Sequence, residues 1–366
     1  MLKVFFGVWA VVLSLGSVSA SGAELLLNKD GKPLIGVGDP APPLEVGKWI
    51  QGGPYDHFEK GKVYLVEFWA TWCAVCKQTI PHIDEIHKKY GPKGLTVMAI
   101  SIAEEDQKLV PRFVKQMGDK MTYPVAIDKV TGESGKMDSA WMDASGNTEL
   151  PKAFLINKDG LIAFLGSATI VDDALIESVL NDKIDIKAAR ADYFMARENK
   201  VKIARLQDQV ERAAGAKDWA KAEQLMDEIE KLTVKDDLDS LALDRISLAL
   251  KAKNSAKVEK MAADLAARSQ DKLRVLDSLA WVISLDADPA SGAMAIADKA
   301  IKRASELGKG KDASVFETMA RVQFIKGDKT GAILTQQKGL EVAAEEKKPH
   351  FEKVLKAYKE GHLPEE

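Results

Sequence analysis

The sequence predicts an α/β domain, a central mixed sheet flanked by helices, followed by an all-α domain of helical repeats. Three observations carry this expectation. Residues 63–69, VYLVEFW, are nearly all apolar and run through FWATWC into a cysteine pair and then into a helical pattern. A run without alternation suits a central strand covered on both faces. From there to about Leu180, strand-like and helix-like stretches take turns. Beyond about Ala188 the strand-like stretches cease, alanine is abundant, and apolar residues recur at spacings of three and four.

The elements follow in order. Proline and glycine are too dense in residues 34–53, LIGVGDPAPPLEVGKWIQGG, for a helix. A helix is expected over about 74–90, closed by Gly91-Pro92-Lys93-Gly94, then a buried strand over 95–103. Residues 104–117 give a helix that starts near, or kinks at, Pro111. TYPVAID is the next strand, and residues 129–147 hold one helix around Met137 to Met142. A strand over 150–157 turns at Lys158-Asp159-Gly160 into the return strand LIAFLG. Asp172 or Asp173 then caps a helix that runs through Leu180.

The chain has 366 residues, 46% of them hydrophobic and 29% charged, with net charge −3. That length points to two domains. The charge balance offers no basic surface for nucleic acid, which is therefore not an expected partner. Met1-Leu2-Lys3 followed by VFFGVWAVVLSLG reads as an export signal, with small-residue cleavage sites after Ala20 or Ala23. An uncleaved membrane anchor is the alternative. The expected division is signal 1–23, α/β domain 24–183 and helical domain 188–362, in a periplasmic or otherwise extracytoplasmic protein.

The chain holds two cysteines, Cys73 and Cys76. A bridge closing so small a loop removes little unfolded-chain entropy and makes a poor staple, so a redox role fits better. At a helix start the unpaired N–H groups and the positive end of the macrodipole favour a thiolate. Cys73, nearer that end, is the expected nucleophile; Cys76, one turn deeper, resolves the mixed disulfide. His82 and His87 follow on the same helix, but five residues between the pairs is too short for a zinc finger, and no metal is expected.

WCAVCK after an aromatic strand, with Pro81 eight residues past Cys73, resembles the thioredoxin superfamily. FWATWC behind an export signal is most similar to the membrane-facing disulfide reductases of the TlpA/ResA type. The resemblance covers roughly the first half of the chain and implies a thioredoxin-like domain. Gly38-Asp39-Pro40-Ala41-Pro42 is similar to the entry of the TlpA and peroxiredoxin branch, which precedes a short hairpin. The resemblance also implies protein disulfides as substrates, as in cytochrome c maturation or copper-site assembly. Electrons would come from a membrane-bound thiol donor, and no cofactor would be needed beyond the redox-active Cys73–Cys76 pair. A thiol peroxidase is a rival, although Cys73 lacks the proline of that branch's loop.

Further site residues rest on the same resemblance. Glu67 matches the buried acidic residue of thioredoxins, and a carboxyl in an apolar strand should have a raised pKa suited to general-base work. An ion pair with Lys77 or another cation is the plainer reading. Pro151 matches the cis-proline whose preceding residue, here Leu150, pairs with substrate in the manner of an added strand. Trp69 is expected to pack and Trp72 to stand exposed beside Cys73. Ala74-Val75 replaces the Gly-Pro of thioredoxin and sets redox poise together with partner contacts.

In the helical half, SLAWVISLDADPASGAMAIADKAI from Ser278 overlays TMARVQFIKGDKTGAILTQQKGL from Thr318, pairing Ala280 with Ala320, Ala293 with Ala332 and Ala300 with Gly339. KDWAKAEQLMDEI from Lys217 looks like half of another copy. The pattern resembles tetratricopeptide repeats, spaced nearer 39 than 34 residues and with that family's aromatic positions mostly absent; a plain helical bundle or long coiled segment is the alternative. A stacked array offers a concave surface, so a protein partner is expected there. With no redox activity the chain would instead be an envelope scaffold.

Overall fold

The computed structural model describes Leu27 and residues 31–132, 134–286 and 288–364. The stretch expected to be an export signal, residues 1–23, lies outside the described residues. Two compact units divide between Glu198 and Asn199.

The first unit is built on β2 (Val63–Trp69). Both its neighbours are strands, β3 (Leu95–Ser101) parallel and β7 (Lys152–Ile156) antiparallel, and with both faces of the sheet covered every residue of β2 is buried. The sheet is completed by β1 (Val46–Gln51), β4 (Val125–Asp128) and β8 (Ile162–Ser167), in the order β1-β4-β3-β2-β7-β8. A two-stranded ribbon, β5 (Val130–Thr131) with β6 (Ser134–Gly135), stands apart. The parity of β2 divides the core into two layers. Val63, Leu65 and Trp69 face α1 (Ala74–Tyr90), α2 (Leu109–Met117) and α3 (Asp173–Leu180), packing with Ile80, Val110 and Ile176. Tyr64, Val66 and Phe68 face the other way, onto Trp141, Met98 and Phe154. Glu67, between Leu65 and Trp69, falls in the α1 layer.

Helix α1, β3, β7, β8 and α3 appear within two residues of their expected ends, whereas β4 begins at Val125, three residues into TYPVAID, and α2 begins five residues later than expected. Helix α1 continues through Pro81 to Tyr90. Asp172 Oδ1 accepts from Leu175 N at 2.8 Å and caps α3. Helix α2 begins at Leu109, two residues before Pro111, where a missing N–H leaves no intrahelical bond unmade. The entry Gly38–Pro42 does not lead into a hairpin. Instead β1 crosses to the far edge and pairs antiparallel with β4. Pro40 bridges Leu161.

Helix α4 (Ile186–Gly215) opens the region expected to be the helical domain, yet its first turns complete the first unit. Arg190 Nη1 donates to Asp39 Oδ1 at 2.6 Å and to the Val37 carbonyl at 3.0 Å. Arg197 Nη1 donates to the Ser145 carbonyl at 2.9 Å. The chain passes so close that a Cβ on Gly36 would lie 2.3 Å from the Tyr193 ring. Ala189 and Tyr193 pack against the Tyr64–Trp141 layer.

The second unit continues with α5 (Trp219–Leu232), α6 (Leu238–Lys251), α7 (Ser255–Arg268), α8 (Leu273–Ser284), α9 (Gly292–Leu307), α10 (Ala313–Ile325), α11 (Lys329–Val342) and α12 (Lys348–Glu360). Alternate helices open on a side-chain cap at Asp218, Asn254, Ser291 and Asp328. These caps are 36, 37 and 37 residues apart, so the structural period is nearer 37 than 39. The overlay drifted because the link before α9 is longer than the tight turns before α5, α7 and α11. In those turns a left-handed residue (Lys217, Lys253 or Gly327) closes one helix immediately before the next cap. The copy beginning at Lys253 had no overlay in the sequence. Small residues do mark close approaches: Ala280, Ala293, Ala300, Ala320 and Ala332 are buried, and a Cβ on Gly339 would meet the Phe351 ring at 2.9 Å.

Candidate active site at the start of helix α1

Strand β2 ends at Trp69, and Cys73 is the N-cap of α1. Its Sγ accepts from the Cys76 amide at 3.1 Å, and the two sulfurs are joined in a disulfide with Cα atoms 5.3 Å apart. Cys73 keeps 6% of its surface exposed and Cys76 none, so a partner can approach the first sulfur only. No acidic side chain stands in the first turn of α1 to oppose a thiolate there.

The peptide bond between Leu150 and Pro151 is cis, and Pro151 leads directly into β7, next to β2. The Pro151 carbonyl accepts from Ala168 N at 3.2 Å, which brings the turn Ala168–Ile170 alongside. Leu150 is half-buried, whereas Trp72 and Val75 expose 59% and 48% of their surfaces and Ile170 is 63% exposed. Ala74 is half-buried between Cys73 and Val75. The buried disulfide thus opens onto apolar side chains of the kind an extended hydrophobic segment covers. Ile170 was missed in the sequence because no pattern there ties residue 170 to Pro151.

Glu67 is fully buried, and neither carboxyl oxygen has a hydrogen bond of ordinary geometry. Burial pushes its pKa up to about 8, with the neighbouring Tyr123 hydroxyl drawing it slightly back. Tyr123 is itself buried and lacks a well-formed hydrogen bond; its phenol is pushed well above its ordinary value by burial first and then by Glu67. The ion pair between Glu67 and Lys77 does not form. Lys77 is exposed, with Nζ 5.8 Å from the centre of the Phe113 ring. Trp69 packs inside, 5.3 Å from Phe113.

His82 and His87 do not approach the cysteines as a metal set. His82 Nε2 donates to the Val171 carbonyl at 2.7 Å, and His87 stacks edge-on to Tyr123 at 6.2 Å. Among the described residues no cluster of three metal-ligating side chains occurs.

The loop before Cys73 is held by a residue that sequence reasoning passed over. Glu104 Oε1 accepts from Thr71 N at 2.6 Å and from Ser101 Oγ at 2.7 Å, while Oε2 accepts from Thr71 Oγ1 at 2.5 Å. Beside it, Trp72 Nε1 donates to the Ala103 carbonyl at 2.9 Å, and Ala103 takes a left-handed φ of 53°. In the sequence Glu104 reads as the first residue of a helix, whereas that helix starts at Leu109.

The sequence profile of the AhpC/TSA family matches residues 37–165. The thiol-disulfide oxidoreductase ResA of Bacillus thuringiensis subsp. konkukian is 32% identical over 164 residues, which is 44% of this chain and 85% of that protein. Protein FixW of Rhizobium leguminosarum is 31% identical over 144 residues, 38% of this chain and 65% of FixW. The chain spans 53% of a second ResA, from Bacillus cereus, at 39% identity over 103 residues, 28% of this chain. Among solved structures, StoA from Bacillus subtilis aligns with TM-score 0.29 at 23% identity, over 35% of this chain and 87% of StoA. On the ResA match, this chain belongs to the thioredoxin-like thiol-disulfide oxidoreductases of the ResA type.

Proposed function

We propose that the protein is an exported reductant of protein disulfides working through Cys73 and Cys76. The observation that carries this reading is a cysteine pair at a helix start, one sulfur open and the other sealed, beside a cis-proline. The Cys73 thiolate attacks one sulfur of a substrate disulfide, forming a mixed disulfide and expelling a substrate thiolate. Cys76, deprotonated by Glu67, attacks Cys73 Sγ and expels the second substrate thiolate. Two electrons pass to the substrate, its two sulfurs take up protons, and the protein is left as the Cys73–Cys76 disulfide. A membrane-bound thiol donor then returns it to the dithiol. Leu150, Trp72, Ala74 and Val75 contact the substrate chain, with the backbone before Pro151 pairing as an added strand. The second unit, a tetratricopeptide-like array, takes a protein partner on its concave face.

Insulin reduction by the purified protein tests the chemistry. Activity is expected to vanish in Cys73→Ser and to persist after deletion of residues 199–366. Cys76→Ser should accumulate mixed disulfides with its substrates. The reduction potential of the pair sorts reductase from oxidase, and a potential near that of strong oxidants would overturn the proposed direction. A pair that forms no reversible bridge would leave only a binding protein.

A further inference from the structure

Glu104 lies outside the Cys-x-x-Cys segment and is 28 residues beyond Cys76 in sequence, yet it is the main tether of the residues that present Cys73. Three donors converge on its two oxygens: one backbone N–H and two hydroxyls, all within 2.5–2.7 Å. An acceptor taking donors at both oxygens is matched by an ionised carboxylate, which has acceptor sites only. Bonds of this charge-assisted kind are about twice as strong as neutral ones. Both Thr71 contacts fix a residue two positions before Cys73. The adjoining Trp72–Ala103 bond fixes the residue between them, so the exit of β3 clamps the approach to the cysteine on both its members.

We propose, building on the redox reading above, that Glu104 is a positioning residue with two effects on Cys73. Its three hydrogen bonds hold the Thr71–Trp72 segment in the shape that presents the sulfur. Its negative charge, one hydrogen bond from that segment, opposes ionisation of the sulfur. The two effects separate by substitution. Gln can still accept from the Thr71 amide but carries no charge, whereas Ala removes both the bonds and the charge.

The test follows alkylation of Cys73 against pH in the reduced Cys76→Ser background, with and without Glu104→Gln, beside insulin reduction by the otherwise unaltered Glu104→Gln and Glu104→Ala proteins. In Glu104→Gln the alkylation midpoint should move to lower pH and the rate at pH 7 should rise about threefold, while insulin reduction stays within about twofold. In Glu104→Ala insulin reduction should fall about tenfold, because Thr71 and Trp72 lose their tether. A residue with only a structural role would not move the alkylation midpoint of the Gln variant. An alkylation profile of Glu104→Gln superimposable on its parent refutes the charge effect, and full insulin activity in Glu104→Ala refutes the tether. If Glu104→Ala does not fold, Glu104→Gln decides alone: an unmoved midpoint overturns the proposal. A parent protein that forms no reversible bridge and reduces no insulin would refute the redox reading and not this one.

Discussion

The buried carboxyl of Glu67 makes a prediction whose sign can be worked through. Its pKa is about 8 in the folded protein, against an ordinary value of 4.5 taken for the unfolded chain. A folded-state pKa above the unfolded one means that the folded chain binds the proton more tightly. Its contribution is therefore intact below pH 4.5 and is lost as pH climbs towards 8. At about 1.36 kcal/mol per pH unit, the loss is roughly 3 kcal/mol at pH 7 and approaches 5 kcal/mol beyond pH 8. Those figures are upper bounds, since relaxation and water entry soften the burial of a charge. Glu67→Gln carries no ionisable group, so the difference between the two proteins should vary with pH even though burying the amide has its own constant cost. Because the chain has two units, global denaturation is not a clean two-state measurement. Native-state amide exchange of β2 peptides, corrected for intrinsic rates, reports the opening of the right element. Wild type should lose about 2–3 kcal/mol against Glu67→Gln between pH 5 and pH 7.5. A difference that stays flat over that range would refute both the raised pKa and the role built on it.

Other outcomes follow from the same geometry. Glu67→Gln should slow release of the mixed disulfide, and the limb of the wild-type pH–rate profile near pH 8 should disappear; an unchanged profile excludes Glu67 as the base. Gly36→Ala puts a Cβ 2.3 Å from the Tyr193 ring and should loosen residues 186–198 by about 1–3 kcal/mol, read as faster amide exchange there with β2 little changed. Gly339→Val drives into Phe351 and Phe316 and should lower the melting temperature of the second unit by several degrees while insulin reduction persists. Leu150→Thr should change the preference among protein substrates with little effect on reduction of a small disulfide, measured by competition between the two.

How much of this was legible in the residues depends on distance along the chain. The β2–α1 segment reads directly, because an unbroken apolar run and a cysteine pair at a helix start are local signals. The cis geometry before Pro151 came from likeness to other chains, since an X–Pro dipeptide does not announce its isomer. Three features did not read at all, and each depends on contacts across many residues. Glu104 looked like a helix start because a polar Glu-Glu-Asp run fits a first turn; its true partners lie 33 residues upstream at Thr71 and three back at Ser101. Strand β1 reaches β4 across about 80 residues, and nothing local marks an edge strand's partner. The repeat period was misjudged because alanines at close helix contacts tolerate a shift of a residue or two, whereas the capping side chains do not.

The two arginines at the start of α4 bear on where this protein can be cut. A piece ended at Leu180 keeps every strand and both cysteines, yet it strips Tyr193 from the face of the sheet and leaves Asp39 without its guanidinium. Such a fragment would expose apolar surface on the side away from the thiols and tend to clump, and its poor behaviour would be blamed on the missing helical half. Ending it at Glu198 keeps the lid, and only that shorter protein asks fairly what the remaining helices add.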